Sequence, residues 1–412
     1  METPILALIP SGYKAEKVYS VLPSDGSGDF TFDRANGLAT RVNKDGLIEE
    51  VANDTPRLDY LNSTCPNLLL ESESTNLQVY SQEFQRTEWS KVGIAVTADN
   101  TTSPSGELNA DKVQRSTNSS GVSYINGVLT KSASQIQYTT SVFVKQGEGD
   151  YFALRVQGNY ADRIDIRFQF STKSIIYTNA ASGNAVLNST SVIEYANGWF
   201  RISYSYLSDT RNLLANYFSG RASSGNVDGG DTSSTAFVYL WGCQAEQSTS
   251  VSSYIPTTTI QTRFKDICKE GGNSTLFDIT EGTFFVDLFN FDSVNSSVIG
   301  LSNGTDAQKI TFLFEPSLTR VRTFSSGGVL YYDTLNYNQR NKILVTFKLN
   351  EYKTYINGVL VSTDTAATVP AGMDRLNFSH ITATTLFFEG EVHDTRVYDR
   401  VLTEAEAIKL TT

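Results

Sequence analysis

RIDIRFQF, residues 163–170, places Ile164, Ile166, Phe168 and Phe170 on one side of an extended chain and Arg163, Asp165, Arg167 and Gln169 on the other. Successive side chains of a strand point to opposite faces, so this spacing belongs to a pleated, half-buried strand. WFRISYSY, residues 199–206, repeats the pattern with Phe200, Ile202, Tyr204 and Tyr206 against Arg201, Ser203 and Ser205, and TFFVDLF from Thr283 shows it again. In YKTYINGVLV, residues 352–361, Asn357 and Gly358 fall where a two-residue hairpin needs positive φ at both central positions. Strands joined by Gly, Asn, Asp and Ser turns recur, and long helical periodicity is absent. The prediction is an all-β chain of antiparallel β-sandwiches. Only the C-terminus signals a helix, a short one, where Thr403 and Glu406 make a capping box ahead of AEAIKL.

The chain has 412 residues, 40% apolar and 11% aromatic, enough for two or three cores. No run of about 18 apolar residues is present to span a bilayer, and METPILALIP lacks the positive start of a secretory signal. The net charge is −11, and no segment is basic: Lys and Arg number 6 against 12 acidic residues in 1–80, 13 against 14 in 81–258, and 14 against 18 in 259–412. A nucleic-acid binder needs a positive footprint to displace counterions from phosphates, so nucleic acid is not an expected partner. Cys65, Cys243 and Cys268 are odd in number and lack CxxC spacing, which predicts neither a disulfide framework nor a zinc site.

Three segments follow. Residues 1–80 hold Gly and Asp turns (SDGSGDF, NKDGLIEE) and few strong strands, which predicts an irregular segment that wraps on another surface and serves attachment. Residues 81–258 and 259–412 are strand-rich sandwiches of related texture without an exact repeat. The stretch VYLWGCQAEQSTSVSSYIPTT, residues 238–258, crowds Trp241, Cys243, Gln244 and Glu246 together. It reads as a last strand and an exit in which Pro256 ends pairing, rather than an active site, because no nucleophile with an oriented base is supplied.

The texts FDRANGLATRVNKDGLIEEVANDTPRLDY and CPNLLLESESTNLQVYSQEF resemble the opening of bacteriophage virion proteins, especially fibres and spikes. YSQEFQRTEWSKVGIAVTADNTTSPSGELNADKVQRS, then SVFVKQGEG, NGWFRISYSY and VYLWGCQAEQSTSVSSYIPTT, resemble the carbohydrate-binding-like jelly rolls that follow such openings. From about Thr262, KILVTFKLNEYKTYINGVLVSTDT and EVHDTRVYDRVLTEAEAIKL resemble a concanavalin A-like, laminin-G-like lectin domain. The resemblance implies a jelly roll over 81–258, a lectin-like sandwich over 259–412, a place on the exposed surface of a virion, and other virion proteins as partners of residues 1–80. It also implies a homo-oligomer, with a trimer as the expected state.

Catalysis finds little in the residues. The two histidines, His380 and His393, read as structural, without a nucleophile motif such as GxSxG nearby. Glu389 and Glu391 in FFEGEVHD are the pair a polysaccharide depolymerase would need, yet solvation at a strand edge is the preferred reading, and no acidic ExDxxE strand is present. In GNVDGGDTSS, Asp228 and Asp231 with Asn226 are the oxygen ligands that calcium would take. The spacing departs from an EF-hand loop, so a solvated turn is preferred and no cofactor is required. Sugar binding uses aromatic faces beside amides. Among 21 tyrosines, YYDTLNYNQR gathers Tyr331, Tyr332, Asn336, Tyr337 and Asn338 in an expected loop, and GNYADR offers Tyr160 in another. Each tyrosine alone reads more readily as a core edge or subunit contact; as a set they are the candidate receptor surface. The expectation is a non-enzymatic virion spike or fibre that binds host surface glycans. The rivals are a structural virion component and a depolymerase.

Overall fold

The computed structural model describes residues 3–10, 13–14, 17–35, 38–61, 63–116, 122–180, 183–229, 231, 233–290, 296–325, 328–337, 339–381 and 385–412. It is all-β, with one short α-helix, Glu404–Thr411, at the C-terminus among the described residues. The chain forms two compact units. Unit 1 takes Met1–Asn36, Val51–Glu73 and Phe264–Thr412, and unit 2 takes Gly37–Glu50 and Ser74–Arg263. Residues 1–80, expected as a separate segment, are thus divided between the units. The reason is pairing at long range, which alternation cannot reveal: Leu6–Leu8 lies antiparallel to Thr395–Val397, and Leu68–Leu70 to Gly390–Val392. Leu6, Leu8, Phe30, Phe32, Leu68 and Leu70 enter unit 1's core.

Unit 2 is a sandwich of two six-stranded antiparallel sheets. One runs Trp89–Val92, Tyr124–Thr130, Leu213–Arg221, Tyr151–Gln157, Arg163–Gln169, Ser174–Ala180 in spatial order. The other runs Ile94–Thr102, Leu108–Arg115, Phe237–Glu246, Gln137–Glu148, Trp199–Leu207, Val186–Tyr195. Ile164, Ile166 and Phe168 from the first meet Phe200, Ile202 and Tyr204 from the second in one core, and the Phe168 and Phe200 rings pack at 5.3 Å. Gly242 corrects a simple alternation through 238–246. It sits at φ +58°, and the register slips there, from Phe143 opposite Trp241 to Ser141 opposite Gln244. This is a β-bulge that only glycine adopts cheaply. Val238 and Leu240 before it, and Cys243 and Ala245 after it, face the core, while Trp241 turns to Phe143 and Tyr254.

Gln244 and Glu246 are spent on closing the exit. Gln244 accepts from the Ile255 N–H at 2.7 Å, and Glu246 accepts from Ser74 Oγ at 2.5 Å and from the Ser252 N–H at 3.2 Å. Asn76 donates to the Cys243 and Ile255 carbonyls, and Ser74–Asn76 pairs with Gln261–Arg263. The tryptophan, thiol, amide and carboxylate of this stretch are therefore a structural closure.

Unit 1 is a second sandwich. Its larger sheet orders Val359–Asp364, Glu351–Ile356, Arg340–Lys348, Gly282–Asn290, Gly390–Tyr398, Asn67–Leu70 and Arg57–Asp59, with Leu6–Leu8 also on Gly390–Tyr398. The smaller orders Gly328–Thr334, Arg320–Ser325, Lys309–Glu315, Ser297–Ser302 and Arg375–Asn377. Stacked Phe284 and Phe312, 5.1 Å apart, join the two sheets in the core. Thr403 and Glu406 cap the helix as its sequence signals, and the helix lays Ala407 and Leu410 on Phe285, Leu344 and Tyr355. A fully buried ion cluster fastens the early chain: Arg57 pairs with Glu71 at 2.6 Å and with Asp266, and Arg34 pairs with Asp266 at 3.1 Å. Among the described residues, no helix is long and apolar enough to cross a membrane.

Candidate functional site

Because Ile164, Ile166 and Phe168 face the core, Arg163, Asp165 and Arg167 must face outward. The register sets Asp165, Arg155, Tyr217 and Asn126 in one row across four strands. This outer face of unit 2 collects charge, amide and ring. Arg155 Nε donates to Asp165 at 2.7 Å and its Nη1 to Asp228 at 2.8 Å, while Arg163 Nε donates to Asp165 at 3.1 Å. Arg163 lies 4.0 Å from the centre of the Tyr160 ring, a cation–π contact, and Tyr160 is 61% exposed. Gln157 Nε2 donates to the Tyr217 hydroxyl at 3.0 Å, and the Tyr124 and Tyr217 rings meet edge-on at 4.9 Å. On the far side, Arg167 stacks over Tyr177 at 3.6 Å and donates to Ser224 at 2.7 Å.

The electrostatics follow from burial. At Arg155 burial opposes the charge, but Asp228 and Asp165 outweigh it and the guanidinium is held more firmly protonated than usual. At Asp228 burial again works against ionisation, and Arg155 overcomes it, so the carboxyl lies below its usual range. Arg155 and Asp165 are themselves buried, 3% and 1% exposed, and act as the fixed base of the face. The exposed Tyr160 ring can stack on the C–H face of a sugar while the partly exposed Arg163, Asp228 and Gln157 meet its hydroxyls.

Unit 1 carries a second cluster on the strand Gly390–Tyr398. Glu391 accepts from Asn67 Nδ2 at 3.1 Å and lies 3.6 Å from His393 Nε2, and Arg340 grips Asp287 with two bonds of 2.6 Å. His393 falls where the register with Gly282–Asn290 slips, Asp287 opposing Asp394 and Leu288 opposing Val392. Burial, then Asp59, pushes Glu391 up to about 7, while burial, then Arg340, pulls His393 down to about 4. The expected solvation of Glu389 and Glu391 at a strand edge does not hold for Glu391, because Gly390–Tyr398 is an inner strand flanked by Gly282–Asn290 and Asn67–Leu70; Glu389, the other candidate of the pair, accepts from Ser72.

The sequence candidates are not brought together. Tyr160 and Asp228 join the unit 2 face. Asp231 is buried and organises its own turn, accepting from the Ala222 N–H at 2.7 Å and the Ser233 N–H at 2.8 Å. Asp228 and Asp231 thus have separate tasks, and no group of three metal-ligating side chains occurs among the described residues. Tyr331 and Tyr332, expected in a loop, lie in the strand Gly328–Thr334, opposite Thr323 and Arg322; their side chains lie outside the described part, as does Asn338. Asn336 is exposed and its carbonyl accepts from Asn341, while Tyr337 is half-buried against the core with its hydroxyl on the Arg320 carbonyl at 2.8 Å. His380 lies 3.6 Å from Asp306. Sequence reasoning passed over Arg155, Gln157 and Tyr217; their one signal was alternation opposite apolar core positions.

Residues 279–407 match the family model of the concanavalin A-like lectin/glucanases superfamily. No curated protein matches the chain. Similar solved structures include the CBM40 of a Ruminococcus gnavus IT-sialidase bound to α2,3-sialyllactose, at 20% identity over 35% of this chain and 89% of that one with a TM-score of 0.30. Domain 4 of the arabinanase AbnA from Geobacillus stearothermophilus, in complex with arabinotriose, is 13% identical over 36% and 73% with a TM-score of 0.29. A heptameric SAP-like pentraxin from Limulus polyphemus is 13% identical over 32% and 70% with a TM-score of 0.26.

Proposed function

We propose that this protein binds glycans without cleaving them, as a bacteriophage spike or fibre protein that attaches the virion to host surface polysaccharide. The observation that carries the reading is the outer face of unit 2, where Arg163 lies over the exposed Tyr160 ring beside the partly exposed Asp228, both held in place by the buried Arg155–Asp165 pair. The lectin/glucanase match of residues 279–407 supports the same substrate class. A homo-oligomer, a trimer in this reading, would multiply weak single-site affinity. Other virion proteins would be met through the exposed parts of residues 1–80.

One observation favours a depolymerase as the second reading. A carboxyl pushed to about 7, Glu391, and the ion-paired Asp287, both within the field of Arg340, give the kind of contrast by which acid and base roles are divided. A single experiment separates the readings: the full chain on an array of bacterial surface polysaccharides, with calcium and with chelator, the same wells assayed for reducing ends. Binding without release supports the adhesin, and release lost in Glu391→Gln supports the depolymerase. Loss of binding with chelator would give calcium a role. Silence across the array refutes both and leaves a structural virion component.

A further inference from the structure

Arg221 is the anomaly of unit 2. It ends the strand Leu213–Arg221 opposite Tyr151, and its side chain is 0% exposed. Among the described residues its guanidinium makes one hydrogen bond, from Nη2 to the Gly229 carbonyl, while Nε and Nη1 are buried without partners. Asp228 and Asp231, the acidic groups that favour its charge, are committed elsewhere, to Arg155 and to the Ala222 and Ser233 N–H groups. Burial, then Arg115, with Arg167 further down, pulls its pKa down to about 10. A buried cation is costly unless paired, so native structures pair it or give it a ligand.

Arg167 is the second cation of the place. It is half-buried, its Nε has no partner among the described residues, and it reaches Ser224 on the exposed run that follows Arg221. The cover next to the Arg221 guanidinium is glycine backbone. A Cβ at Gly225 would stand 3.1 Å from Arg221 Nη2 and 2.5 Å from the Gly229 carbonyl oxygen, and one at Gly229 would meet nothing within 4 Å.

We propose that Arg221 and Arg167, under and beside the Gly225–Gly229 turn, form an oxyanion seat in which Arg167 is met first and Arg221 is reached when the glycine turn lifts, and that the glycan taken by this protein is acidic, held there by its carboxylate or sulfate. The proposal rests on the glycan-binding reading above. A planar guanidinium with two free N–H directions suits such an oxygen pair better than it suits a neutral hydroxyl. Tyr177, stacked on Arg167, would border the sugar ring.

The test titrates the full chain with polygalacturonate, dextran sulfate and neutral dextran, and separately follows its melting in inorganic sulfate by tryptophan fluorescence. All three tryptophans, Trp89, Trp199 and Trp241, lie in unit 2. The expected result is binding of an acidic polymer at least about tenfold tighter than dextran, lost about tenfold or more in Arg221→Met, as fits one charge-assisted bond. Arg167→Gln, at a half-exposed site, should weaken it several-fold even if Arg221→Met folds poorly. The carboxylated and sulfated polymers decide which oxyanion is used. Sulfate should raise the melting temperature of the native chain and not of Arg221→Met. Preference for dextran, or acidic binding within twofold of native in both variants, overturns the seat while the glycan reading stands. If no polymer binds but sulfate still stabilises through Arg221, the seat stands and the glycan reading falls. If neither occurs, both fall.

Discussion

Replacing Glu391 by glutamine should uncover a pH dependence that the native protein hides. In the folded chain Glu391 is pushed from an ordinary 4.5 up to about 7, so its folded form holds the proton more tightly than the unfolded one. Its stabilising effect is complete below pH 4.5 and is lost as pH rises to about 7. At 1.36 kcal/mol per pH unit that is about 3 kcal/mol. His393 is pulled from 6.5 down to about 4, so its contribution is present above pH 6.5 and lost as pH falls to about 4, again about 3 kcal/mol. The two slopes oppose each other and cancel between pH 4.5 and 6.5. The groups facing the pair are Asp59, Asn67 and Glu71 on the early strands, Asp287 and Arg340 on the neighbouring ones. They are common to native and variant and drop out of the difference. Urea unfolding of unit 1 can be followed as the circular dichroism change that tryptophan fluorescence does not share. The stability of Glu391→Gln relative to native should then rise by about 3 kcal/mol from pH 4.5 to 7. His393→Gln should show the inverse, its absolute stability falling by a similar amount over that range. A relative stability for Glu391→Gln that stays flat within about 1 kcal/mol would refute the assignment of a raised Glu391.

Other perturbations have equally direct readings. Tyr160→Ala should weaken glycan binding about tenfold and move the tryptophan-detected melt little, since the ring is exposed and its contacts are the Arg163 and Arg155 guanidinium groups at 4.0 and 5.6 Å and a hydrogen bond to Asp228. Asp266→Asn leaves Arg34 and Arg57 short of a buried partner and should cost unit 1 about 3–5 kcal/mol in urea unfolding. Gly242→Ala combines φ +58° with a Cβ placed 2.9 Å from Phe143 Cδ2. It should destabilise unit 2 by about 1–3 kcal/mol and shift the emission of the adjacent Trp241.

The strands were legible because their physics is local. Period-2 alternation marked Ile164, Ile166, Phe168 and Phe170, and all four are buried. The same rule said that Arg201, Ser203 and Ser205 face water, yet all three are buried, because residues 249–252 cross over them: Arg201 donates to the Ser252 carbonyl and Ser205 to that of Thr249. Alternation reports which side a residue takes and is silent on what covers that side. The candidate site was legible only at Tyr160 and Asp228. Arg155, Asp165 and Arg221 stand 10 to 66 positions apart in the chain and become neighbours through strand register and turn geometry, which no local spacing encodes.

The short pairing of Ser74–Asn76 with Gln261–Arg263 has a kinetic meaning. Unit 1 must join residues up to Glu73 with residues from Phe264 onward, across a chain excursion of roughly 190 residues. Closing a flexible loop of that length costs about 4–5 kcal/mol in the logarithmic length term alone. Once unit 2 has folded, its two ends are already clasped side by side, and the excursion shrinks to a staple of a few residues. On the ribosome unit 2 is complete when Arg263 has emerged, well before the strand Gly390–Tyr398 exists to receive Leu6–Leu8. The inserted unit therefore acts as the folding template for the unit that encloses it in sequence.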